Sequence, residues 1–342
     1  MVGVYLICIV LFPISVVYPI RMKKKTILEI LTKEDSVVIK GIAVCFVILA
    51  HLISALETQY QVIPILKVFT VLGGMGVLLF FFLSGFGLFK GYANRKPSID
   101  FVKKRIKNVV YPYILMKICF YIMTLFFVKD TVFNIKSFIL NFADWFVVVI
   151  VIEYIIFYIS WVVASRTTKK GLLLLLDFIL SLIVALIFVR IGLVARWYNG
   201  LLLFPFGMLL AKYEKALLFH LKKQWIVKLF INIIIFIALG SIFTLFKGNI
   251  WADIIKTIAG IELAVITCGI FIRYELKSRI MKYIGKNSLY FYIIHLCIMT
   301  FLDQVFKLDR ICYLYITVFL TFPITAIFVN IVKNTTIKSN NI

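Results

Sequence analysis

Apolar stretches of about twenty residues follow one another along almost the whole of the 342-residue chain, each ended by a short charged segment. A helix rises about 1.5 Å per residue, so roughly 20 such residues cross a hydrocarbon layer of about 30 Å. Inside lipid every backbone N–H and C=O must be satisfied within the protein, which leaves helices or a closed barrel. The apolar residues here run continuously or at helical spacing and lack the strict alternation of barrel strands. With 63% hydrophobic against 15% charged residues and a mean hydropathy of +1.07, a soluble domain of this size would lack polar surface. The expected fold class is an all-α polytopic membrane protein.

Eleven spans are expected, at 3–20, 37–56, 65–89, 109–128, 143–164, 172–190, 197–212, 225–246, 250–272, 287–303 and 311–332. The first has signal-peptide character, but its basic flank "RMKKK" follows the apolar stretch and no small-residue cleavage site is evident. It reads as a retained helix with the N-terminus outside. Take loops 21–36, 90–108, 165–171, 213–224 and 273–286, with Lys212 and the end from Lys333, as one side. That side carries 26 Lys and Arg, and the opposite side 7. The excess places the basic side, and the C-terminus, in the cytoplasm. "RIGLVARW" (190–197) reads either as a loop or as a continuation of a span. The longest loop, 90–108, is too short for a core of its own, and no internal repeat is apparent. The location expected is the plasma or inner membrane, crossed many times.

The formal net charge of +23 does not point to nucleic acid, because the cations sit in short clusters between spans. Membrane lipids are the expected surroundings. The six cysteines (Cys8, Cys45, Cys119, Cys268, Cys297, Cys312) lie in or beside apolar runs without C-x-x-C spacing, so neither a disulfide framework nor a metal site is expected.

In "KGIAVCFVILAH" (40–51), Lys40 and His51 are eleven residues apart. Eleven steps of about 100° come within about 20° of three full turns, so both lie on one helix face, roughly 16 Å apart along the axis. Histidine is the side chain most readily tuned to take a proton near neutral pH. A packing histidine hydrogen-bonded to a neighbour is the plain alternative.

This stretch resembles the R-x10-H motif of the membrane-bound acyltransferase 3 family, bacterial enzymes that acylate surface glycans, with Lys40 where arginine is usual. Three further stretches match in order. "FFFLSGFGLF" (80–89) is similar to the family's second helix, through Ser84, Gly85 and Phe86. "FVKKRIKNVVYPY" (101–113) resembles its basic segment, through Phe101, Arg105, Pro112 and Tyr113. "IGKNSLYFYIIHL" (284–296) resembles its C-terminal pattern, through Ser288, Tyr292 and His295. "WFVVVIVIEYIIFYI" (145–159) matches the Trp-Phe helix more loosely. The resemblance runs from about 37 to 333. It implies a ten-helix core at 37–333, preceded by an extra N-terminal helix and basic loop at 1–36 and followed by a tail at 334–342. It also implies acyl-CoA, with acetyl-CoA foremost, as donor, and a glycan or lipid-linked sugar as acceptor. Lysine at position 40 keeps the charge but not the planar fork of arginine.

Other residues have readings of their own. Gly73, Gly74, Gly76, Gly85 and Gly87 permit close backbone approach, with helix packing as the plain alternative. Arg105, close to the membrane entry, is the candidate for phosphate binding with Lys40, while the neighbouring lysines serve topology and anionic lipid. Glu153 lies near mid-membrane and needs a partner. Lys117, His51 and His295 are the candidates, and Glu153 would then either orient the catalytic histidine or simply neutralise a buried cation. Asp253 and Lys256, three apart, read as a local ion pair, and His220 as a solvated loop residue.

The chain is therefore expected to be an integral membrane O-acyltransferase of a cell-envelope or exopolysaccharide sugar. His51 would act as general base or acyl carrier. A transporter or flippase for a glycan or lipid-linked intermediate is the rival, explaining spans and buried charges without chemistry.

Overall fold

The computed structural model describes residues 12–23, 29–127, 144–167, 170–306 and 308–338. Among these, nine helices are long and apolar enough to cross a membrane. The chain begins with a short helix α1 (Phe12–Val17) and strand β1 (Ile20–Met22). Residues 3–11 of the expected first span, 3–20, lie outside the described residues, and the other half holds α1 and the start of β1. The helices then run α2 (Lys33–Leu56), α3 (Pro64–Tyr92), α4 (Asp100–Phe127), α5 (Trp145–Ala164) and α6 (Lys170–Arg190). They continue as α7 (Leu203–Lys212), α8 (Glu214–Lys222), α9 (Trp225–Leu245) and α10 (Ile250–Arg273). Strand β2 (Tyr274–Leu276) precedes α11 (Arg279–Lys286), α12 (Ser288–Val305) and α13 (Arg310–Lys338).

The loops expected on the basic side gather at one end of the bundle. Strand β1 pairs antiparallel with β2, Arg21 opposite Glu275. Lys90 bridges Glu29 and Glu214, and Lys282 bridges Glu34. At this end α2 starts on a capping box. The Thr32 side chain accepts from the Asp35 N–H, and Asp35 accepts from the Thr32 N–H. Asp35 also takes a hydrogen bond from Lys23, which bonds in turn to the Phe271 carbonyl of α10. These bonds fix the height of α2, and so of Lys40, against its neighbours. The opposite end is tied by Arg310 to Asp303 and by Tyr60 to Asp309, whose carboxyl the tyrosine hydroxyl holds below its ordinary range.

Helix α3 is the centre of the packing, with sixteen buried residues, whereas α9 has none fully buried, packs Phe236 and Leu239 against the bundle and exposes most of its isoleucines. Close helix crossings rest on glycine. A Cβ on Gly85 would collide with the Phe204 carbonyl of α7, and one on Gly207 with the Phe82 carbonyl of α3. Gly41 and Gly285 make the same reciprocal contact between α2 and α11. Backbones this close gain dispersion contacts that lipid cannot replace.

Two expectations about spans are corrected. The loop 90–108 is shorter than read, because α4 already begins at Asp100. Within α4 the turn Ile106–Val110 is a π-helix, in which the Tyr111 N–H bonds the Ile106 carbonyl. Pro112 has no N–H to return to the helix and its ring crowds the preceding turn, which the wider turn relieves. The expected span 197–212 is broken. A 3-10 turn (Ala195–Trp197) and the turns that follow lead into α7, whose ten residues are too few to cross a bilayer as a helix. Asn199, Gly200 and Leu201 in the irregular part are buried in protein, the setting in which such backbone is tolerated at membrane depth.

Candidate active site

His51 of α2 meets His295 of α12. The rings stack with centroids 5.2 Å apart and an interplanar angle of 18°, and His51 Nδ1 lies 2.9 Å from His295 Nε2. His295 is fully buried, and its Nδ1 lies 2.8 Å from the Phe291 carbonyl one turn back. This chain assigns the protons. A carbonyl only accepts, so His295 Nδ1 carries the hydrogen and its Nε2 is left as an acceptor. His51 Nδ1 must then be the donor, and His51 Nε2 keeps the free lone pair. Spacing on α12 brings in the neighbours. Tyr292 precedes His295 by three residues and Ser288 by seven, so all three share a face. The Tyr292 ring lies 5.9 Å from His295, and its hydroxyl donates to Asp144 at 3.2 Å.

Asp144 was not legible as a site residue. Its carboxylate caps α5 by accepting from the Phe146 N–H at 3.1 Å, and its own N–H donates to the Tyr113 hydroxyl at 2.9 Å. Tyr113 of the basic-segment motif thus helps place the start of α5 beside Tyr292, where Phe146 packs 4.7 Å from the tyrosine ring. A lone Asp before an apolar run signals an N-cap. Only the fold adds the tyrosines.

A cavity of about 170 Å³ opens beside His51. It is bordered by Ser54 one turn along α2, Gly73 and Gly74 of α3, Trp145, Tyr292 and Lys256 of α10. Arg196, Asn199 and Gly200 of the broken span complete it. Gly200 is obligatory at its place, since a Cβ there would strike the Phe81 ring. The Asp253–Lys256 ion pair expected from spacing is corrected. Asp253 accepts instead from the Tyr198 hydroxyl at 2.6 Å, and Lys256 forms no ion pair among the described residues. The loop and helix starts supplying these groups come together only through the crossing of α3 with α7 and α10.

Toward the other end of α2 lies a second polar cluster. Lys40 is half-buried and close enough to Arg105 for the two charges to act on one another. The Arg105 guanidinium lies between the rings of Phe101 (5.1 Å) and Tyr154 (4.9 Å), and its Nε is buried without a partner. Neither cation has an ion pair among the described residues.

Other candidates fall elsewhere. Glu153 is corrected as the group that orients the histidine. It is fully buried between α5 and α6, where it accepts from Ser181 at 3.2 Å and lies near Asp177. The hydrogen bonds of His51 and His295 go to each other and to the Phe291 carbonyl, and Lys117 acts on Asp144. Gly85 belongs to the α3–α7 crossing. Ser84 is half-buried outside the cavity wall, and Ser288 begins α12, seven residues before His295. His220 is exposed on α8.

A bundle of apolar helices enclosing a hydrogen-bonded imidazole pair beside a cavity with a few polar groups on an apolar lining defines a multi-pass membrane protein. The family model described as "Acyltransferase domain" matches residues 37–330, most of the chain. The protein belongs to that family, the acyltransferase 3 family, and is an acyltransferase. No curated relative and no solved structure matches it.

Proposed function

We propose that the protein transfers an acyl group, acetyl foremost, from cytoplasmic acyl-CoA to a hydroxyl of a cell-envelope or exopolysaccharide sugar, free or lipid-linked. The observation that carries the reading is the hydrogen-bonded chain Phe291–His295–His51, which leaves His51 Nε2 as the basic atom beside the cavity. His51 takes the proton of the acceptor hydroxyl as its oxygen attacks the thioester carbonyl. The carbon–sulfur bond then breaks, and the same proton passes to the departing thiolate. As His51 becomes cationic, its Nδ1–H bond to His295 strengthens, so His295 positions the base and helps bear the charge. In the acyl-carrier variant His51 Nε2 attacks the thioester carbonyl itself, the carbon–sulfur bond breaks and the thiolate leaves, and the sugar hydroxyl then displaces the imidazole, its proton passing to the thiolate.

Lys40 and Arg105 are the donor-binding pair. Two cations that act on one another, with no ion pair among the described residues, favour a polyanion, and both can pair with CoA phosphates. With the basic end of the bundle in the cytoplasm, Lys40 meets the donor about 16 Å along α2 from His51, and the acceptor enters from the outer side. Eleven crossings, with the broken span counted as one, put the N-terminus outside and the C-terminus in the cytoplasm. Residues 37–333 form the transfer unit. The membrane is the plasma or inner membrane.

The test is His51→Ala in cells, with the surface glycan analysed by mass. Stable insertion with the acyl ester reduced at least ~100-fold is expected. Wild-type ester in a stably inserted mutant rules out the role.

A further inference from the structure

The cavity beside His51 carries more positive charge than acyl transfer to a neutral sugar requires. Two of its bordering side chains are cations, Arg196 at the mouth and Lys256 on the wall, and no carboxylate borders it among the described residues. The ammonium of Lys256 reaches across to Gly74 of α3, where the absence of a side chain leaves room for it. Among the described residues neither cation is engaged in an ion pair or hydrogen bond. Asp253 tempers Lys256 from a distance, but its carboxylate is bound to Tyr198, and the wall stays net positive. Asn199 is only 3% exposed, and its amide Nδ2 is buried without a partner. A buried donor left unmade is costly, and together with two cations it specifies an oxyanion.

We infer that the acceptor of this enzyme carries an anionic group, a carboxylate or a phosphate, next to the hydroxyl that is acylated. This rests on the acyl-transfer reading above. The donor's own phosphates are not the occupant, because the second cation pair, Lys40 and Arg105, lies three turns of α2 away and does not border this cavity. The volume sets the scale. About 170 Å³ is below the roughly 300–1,000 Å³ of drug-sized pockets, so a single acidic sugar fits better than an oligosaccharide. Arg196 and Lys256 grip the anion, Asn199 donates to it, and the neighbouring hydroxyl is held against His51. An acidic sugar thereby presents its hydroxyl in one orientation, and a neutral sugar leaves three donors unanswered.

The experiment compares the surface glycan of a strain lacking the protein with that of the complemented strain, locating the lost acyl ester by mass spectrometry and NMR. An ester on a uronic acid or a phosphate-bearing sugar is the expected result. An ester on a neutral sugar overturns the inference while leaving acyl transfer standing, and the absence of any lost ester counts against the transfer reading itself. The same complementation is run with Lys256→Gln and Arg196→Gln, beside Lys256→Arg and Arg196→Lys. The neutral variants should lower ester content ~10-fold or more, and the charge-keeping variants should stay within ~3-fold of wild type. Equal behaviour of neutral and charged variants would show that charge is not read, with membrane-inserted protein quantified in every strain.

Discussion

Toward one end of the Lys40–His51 face, the Arg105 guanidinium lies between two aromatic rings with Lys40 nearby. Toward the other, Arg196 and Lys256 border an open cavity, one offered by a break in a span and the other by the first turns of α10. The inner cation rests against two aromatic rings, contacts it makes without any ligand. Among the described residues the outer cations have no aromatic ring against them, and they border a space with hydroxyls and an amide. In the proposed transfer the stacked cation would meet the unvarying phosphates of the acyl-CoA donor and the cavity rim a surface sugar, with His51 beside the rim.

The largest effect that sharpens this comparison should come from removing the bond between its halves. His295→Phe fills the space but gives His51 Nδ1 no acceptor, and a fall in turnover of ~10- to 100-fold is expected. Its pH–rate profile should change as well, which loss of packing alone would not produce. An unaltered pH profile would count against the positioning role. A smaller effect is expected at the inner end. Arg105→Lys keeps the charge and gives up the plane between Phe101 and Tyr154, so acetyl-CoA affinity should weaken ~10-fold by calorimetry on purified protein. Unchanged donor affinity would break the comparison, because the clamp would then serve packing alone. The smallest effect separates two glycines of one helix. Gly85→Ala drives a methyl into the Phe204 backbone at the α3–α7 crossing, with a loss of about 1–3 kcal/mol. Gly87→Ala meets open space, so its thermal transition should match wild type. Equal transitions for the two would mean that the α3–α7 crossing is looser than its geometry.

Much of the molecule is legible in its residues alone. The helical class, nine of the spans and the Lys40–His51 face follow from residue spacing and from the cost of unpaired backbone in lipid. His295 is visible through its motif, yet its partnership with His51 is not, since 244 residues of chain separate them. Glu153 draws attention because a carboxylate in a span is costly. Which neighbour relieves that cost depends on helix rotation, and rotation places Ser181 and Asp177 beside it. The pairing of Asp253 with Lys256 fails for a related reason. A tyrosine from the broken span competes for the carboxylate more closely than the helix neighbour does.

The run at 197–212 shows the limit most clearly. Its composition reads as one more span, but Gly200 must lie against Phe81, and Gly207 must lie against α3. Those two contacts bend the chain into turns that carry Arg196 and Asn199 to the cavity. The sequence by itself determined that the chain is a helical membrane protein with a basic end and a histidine three turns from a cation. These are properties of one segment at a time, fixed by hydropathy and helical period. Only the tertiary structure decided which imidazole faces His51, which cations lack an ion pair among the described residues, and where a span gives way to a cavity wall. Each depends on helices meeting at particular rotations, and glycine contacts between distant segments set those rotations.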